Sequence, residues 1–210
     1  MVDSPPRADP PYVPIRHTRW PVRRTPRSLL LAGLALLLVA ALVGLTHRPS
    51  TAERAADLRG FLANMNTDIE SCAGGVSESL TALRAIQSGA SHDTPTAISI
   101  AQVGAANCSP ANNEQLDDLT QFQVTESLAS FRLARVVSGL VTWAAPDAQR
   151  VQTDVANVLA ARTPQARQSA SAALRLARAK LDAQRAVVDS IIDSASAALS
   201  AHAAPPTLPG

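Results

Sequence analysis

The chain has 210 residues, 40 of them Ala, with 15 Pro and only 3% aromatics, which allows one sizeable domain and an appendage but not two full domains. A core drawn from Ala, Leu, Val and Ile argues against a sheet protein, and two cysteines exclude a disulfide-dense miniprotein and a four-cysteine zinc site. The net charge of +2 averages two unlike parts: residues 1–27 carry six Arg against Asp3 and Asp9, and the chain after Leu45 carries 13 basic against 15 acidic residues.

Seven of the prolines lie in residues 1–27. A stretch so rich in Pro and Arg buries too little surface to fold, and is expected to be a disordered tail. Leu29 to Leu45 then runs for seventeen residues without a polar side chain. Extended to 28–46, it spans just under the roughly 30 Å hydrocarbon core of a bilayer as a helix. Arg16, Arg19, Arg23, Arg24 and Arg27 precede it. That asymmetry predicts a transmembrane helix acting as a signal-anchor in the plasma membrane, with a cytoplasmic N-terminus and the rest of the chain outside. Trp20 would sit at the headgroup level, and Arg23, Arg24 and Arg27 on anionic lipid. The alternative is a cleaved signal peptide and a secreted product. Against it stand the length of the apolar run and the exit Leu45-Thr46-His47-Arg48, which lacks a small-x-small site.

Residues 50–202 read as an all-α extracytoplasmic domain, an antiparallel bundle of 4–5 helices with one disulfide. Ser50 and Glu53 have capping-box spacing. Leu58, Leu62, Met65, Ile69, Cys72, Val76, Leu83 and Ile86 follow at steps of four and three, with Ser79 in the one polar position of this coiled-coil-like seam. Gly74 and Gly75 interrupt the seam and point either to another backbone close by or to a local break. Gly89 ends it.

A second helix begins at Asp93 or Thr94 with Pro95 in its first turn and runs to about Asn107. A third is expected from the polar link Ser109–Asn113 to about Ala145, burying Leu116, Leu119, Val124, Leu128, Phe131, Val137 and Val141. Pro146 stops it. A fourth covers Asp147 to Arg162 and buries Val151, Val155, Val158 and Leu159. The last starts at Thr163-Pro164, with the seam Leu174, Ala177, Leu181, Gln184, Val188, Ile191, Ala195 and Ala198. The Ala- and Pro-rich residues 203–210 are expected to form a disordered tail.

The cysteines test this drawing. The first helix climbs roughly 23 Å from Cys72 to Gln87, and the second descends roughly 18 Å from Pro95 to Asn107. Cys108 therefore returns near Cys72, and in an oxidising compartment the two form a disulfide.

No catalytic, cofactor-binding or metal-binding constellation is visible, and the chain is not read as an enzyme. His17, His47, His92 and His202 are scattered, with no helical ligand spacing. Glu114, Asp117 and Asp118 complement a helix dipole rather than match a calcium loop. Arg175 and Arg178, on the basic last helix, are candidate interaction residues for an anionic surface. Gln184 is a second candidate, because a polar residue in an apolar seam fixes register or touches a ligand. A nucleic acid is not an expected partner of a domain outside the cell without stacking aromatics. These features predict a non-enzymatic, single-pass protein whose bundle binds an envelope protein or a second copy of itself, with membrane lipid as its other partner. The competing expectation is a small-molecule-binding or sensor-like bundle with its site near Gly74, Gly75 and Ser79.

Overall fold

The structure, a computed structural model, describes residues 49–209. The predicted tail and span, with Trp20, Arg23, Arg24 and Arg27, lie outside the described residues. Among those described, no helix is long and apolar enough to cross a membrane. Six α-helices and no strand are present there: α1 (Thr51–Gln87), α2 (Thr94–Asn107), α3 (Glu114–Gln121), α4 (Leu133–Thr142), α5 (Gln149–Ala160) and α6 (Pro164–Leu199). A 3₁₀ turn (Glu126–Phe131) precedes α4, and a kink at the extended Ala145 (φ −134°, ψ 114°), just before Pro146, joins α4 to α5.

The helix starts follow their capping chemistry. Ser50 Oγ accepts the Glu53 N–H at 3.2 Å, while the Glu53 carboxylate accepts the Ser50 N–H at 2.7 Å. Asp93 caps α2 by accepting the Thr96 N–H at 3.1 Å and the Thr96 hydroxyl at 2.6 Å. Those bonds hold its carboxyl below the ordinary value, the hydroxyl contributing most. Thr163 caps α6 through the Ala166 N–H. Such caps typically contribute about 1 kcal/mol each. Gly89, at φ +75°, closes α1; there its N–H reaches the Ile86 carbonyl at 3.2 Å.

The predicted α1 seam is the buried one: Leu58, Met65, Cys72, Val76 and Ser79 have no exposed surface. Phe61, Ala73 and Leu80 widen it into a broad apolar face. The C-terminal half of that face packs on α2, which in turn packs on α5; α5 and α4 both pack on α6. The helices α1 and α2 are antiparallel, since Cys72 joins Cys108 while Gly75 meets Gly104. The disulfide closes at a Cα–Cα distance of 4.7 Å, and both sulfurs are fully buried.

Three parts differ from the sequence reading. The single third helix is two, α3 and α4, which raises the predicted 4–5 helices to six. After Gln121 the backbone becomes extended at Phe122 (φ −65°, ψ 130°). There the Phe122 ring packs edge-on against Phe61 with centroids 5.6 Å apart, and Ser127 donates to Asp57 at 2.6 Å. Continuing the helix would forfeit both contacts, and the β-branched Val124 and Thr125 are weaker helix formers. Arg132 then turns the chain through a left-handed φ of 57° to start α4.

On α6 the buried line runs through Leu174, Ala177, Leu181, Val188 and Ala195 as predicted, but Ile192 and Leu199 take the places expected of Ile191 and Ala198. A straight helix drifts about 20° per heptad against a strict seven-residue repeat, and by Val188 the drift has moved contact to the next residue. Finally, residues 203–209 are packed rather than free. Ala203 exchanges hydrogen bonds with Ser196 Oγ, Arg59 donates to the Ala201 carbonyl at 3.4 Å, and Leu208 is only 2% exposed. Leu208 is the one large aliphatic residue of that segment, and its burial ties the segment down.

Candidate functional site

Where α1, α2 and α5 meet, the sequence places small residues, and the structure fills the space they leave with one polar side chain. A Cβ on Gly75 would lie 2.9 Å from the Gly104 Cα and 3.2 Å from Gln152 Oε1. The two helices therefore touch backbone to backbone, the first of the two expectations for the paired glycines. Gln152, fully buried, enters from α5. Its Oε1 accepts from Ser79 Oγ at 3.3 Å, and its amide nitrogen lies 3.0 Å from Cys108 Sγ. The Ser79 hydroxyl also reaches the Gly75 carbonyl at 2.6 Å.

Ser79 is thus sealed inside a satisfied polar node that includes the disulfide, rather than facing a cavity. A shallow groove of about 450 Å³ does run over the outside of the α1–α2 pair, along Gly74, Glu78, Ser99 and Val103. Gly74 faces open space. Of the two glycines, only Gly75 answers to a neighbouring backbone.

Gln184 lies on the α4–α6 contact, half-buried, and its amide donates to the Gly139 carbonyl at 3.2 Å. Gly139 is glycine because a Cβ there would come within 2.8 Å of Val188 Cγ2. Gln184 therefore reads the backbone of α4 and fixes its register on α6. Replacing it with Ala is expected to lower stability in a urea titration by about 1 kcal/mol without loss of helix content; an unchanged midpoint would remove the register role.

Arg175 and Arg178 are exposed on α6. Further along, Arg185 pairs with Asp189 at 3.4 Å. On α5, Arg150 pairs with the buried Asp154 at 3.1 Å. Near the start of α5, burial raises the Asp147 carboxyl above its ordinary value, and the charge of Lys180 opposes that shift. Burial likewise raises Asp68, with the negative charge of Asp118 adding to it. Among the described residues, no group of three His, Cys, Asp or Glu is arranged to hold a metal ion.

Another concavity is one the sequence did not reveal. A groove of about 730 Å³ runs along α4 where the break at Phe122 and the turn at Arg132 pull the chain aside. A sign of it was present: the predicted stripe steps by five residues from Leu119 to Val124 and by six from Phe131 to Val137. Neither step fits a continuous helix.

The described residues thus define an all-helical, disulfide-bonded domain. No family model matches the chain, and neither the curated proteins nor the solved structures give a match.

Proposed function

We propose that this is a non-enzymatic, single-pass membrane protein whose helical domain stands outside the cytoplasm and binds another envelope protein or a second copy of itself. The observation that carries the reading is the buried Cys72–Cys108 disulfide, in a chain whose apolar run Leu29–Leu45 follows six arginines. Disulfides persist in oxidising compartments, and Arg-flanked apolar runs keep their basic side in the cytoplasm. Both features support a domain outside the cytoplasm. The Arg175–Arg178 stretch of α6 supplies an exposed basic face for a partner or for anionic lipid.

The test uses the full chain in native membranes. An N-terminal tag is expected to resist protease added from outside, while residues 49–210 are digested and the two cysteines become alkylated only after reduction. Crosslinking is then expected to give a discrete larger species. A mature chain released into the medium and beginning near residue 45 would replace this reading with the secreted one.

A further inference from the structure

The groove along α4 combines an apolar surface with one charge. Phe122, Val124, Leu133, Val137 and Val141 line it, and Phe122, Val124 and Val141 remain only partly buried. Arg132 is the sole ionisable residue of the lining. Its side chain is exposed and has no hydrogen bond or ion pair among the described residues.

Arg132 also opens α4, which has no side-chain cap, and the first residues of the helix, Leu133 and Ala134, border the same groove. The cationic residue therefore stands at the positive end of the helix. Thr142, at the other end of α4 about 15 Å away, is uncharged. The volume of about 730 Å³ falls in the range of roughly 300–1,000 Å³ usual for small-molecule sites.

The geometry points to a binding site for a long-chain carboxylate, a fatty acid whose acyl chain lies along the partly exposed Phe122, Val124 and Val141 and whose head meets Arg132. One cation matched to one negative charge suits a carboxylate better than a zwitterionic headgroup. A protein helix fits less well, because docked helices are ringed by polar contacts. Here the rim hydroxyls already serve backbone carbonyls: Ser138 donates to Arg135 at 3.2 Å and Thr142 to Ser138 at 2.9 Å.

The test is photocrosslinking of the full chain in phospholipid nanodiscs with a diazirine analogue of palmitate. Within residues 49–210, crosslinks are expected on 120–142, competed by palmitate but not by its uncharged methyl ester or by lysophosphatidylcholine. Arg132→Gly removes the guanidinium while suiting the left-handed backbone. It should leave the melting temperature intact and raise the half-saturating palmitate concentration about five- to tenfold. Val141→Asp, at a partly buried position, should abolish the labelling. Labelling elsewhere in the domain, equal competition by the ester or lysolipid, absence of crosslinks, or an unaltered Arg132→Gly variant would each overturn the assignment.

Discussion

Replacing both Cys72 and Cys108 with alanine is expected to lower the thermal unfolding midpoint by roughly 10 °C, read by circular dichroism. The bond spans a sequence separation of 36 residues. Releasing a loop of that size restores denatured-state entropy worth about 4 kcal/mol in the chain-entropy model. In a domain of this size each kcal/mol moves the midpoint by about 2–4 °C. A local effect adds to the entropic one, since the Gln152 amide loses the sulfur it now faces at 3.0 Å inside a dry core. A midpoint shift below about 2 °C would mean that the α1–α2 packing holds the loop closed without the bond, and that the disulfide is incidental to stability.

The adjacent glycines are expected to respond in opposite directions. Gly74 is exposed and a methyl group there meets nothing within 4 Å, so Gly74→Ala stabilises by up to about 1 kcal/mol through helix propensity alone. In Gly75→Ala the new carbon lands 2.9 Å from the Gly104 Cα, which is backbone and cannot rotate away. The helices must separate, at a cost of about 1–3 kcal/mol or more, and the shift strains the disulfide one turn below. Urea titrations of the two variants check this. A destabilised Gly74→Ala or a neutral Gly75→Ala would contradict the close approach of α1 and α2.

How much of this was legible in the sequence depended on how local each determinant is. Ser50–Glu53, Asp93–Pro95 and Thr163–Pro164 announce helix starts because a cap is a contact between residues two or three apart. The seam of α1 was readable over four heptads because a regular repeat is itself the signal. The pairing of Cys72 with Cys108 followed from helix lengths and a short turn. The break between α3 and α4 was not readable in the same way: it depends on Phe122 finding Phe61 and Ser127 finding Asp57, partners about 60 to 70 residues away. The same holds for Gln152, an ordinary surface residue by composition, which fills the gap that Gly75 and Gly104 leave. The groove at Arg132 exists only because of that break, so it could not be seen before the break was. Leu208 was overlooked because its neighbours are Ala, Pro, Thr and Gly, and a single aliphatic anchor makes no pattern.

The contact between Arg59 and Ala201 means that the described domain is gripped near both its extremities, residues 49 and 209, on one side. A load applied between those extremities opens the domain like a zip, peeling α1 from its neighbours a turn at a time instead of dragging long helices past one another. The peeling meets a covalent stop at Cys72. A chain pulled in an optical trap would therefore release less length than its residue number implies, short by about 120 Å for the 36 residues kept inside the sulfur ring, and would recover that length only in reductant.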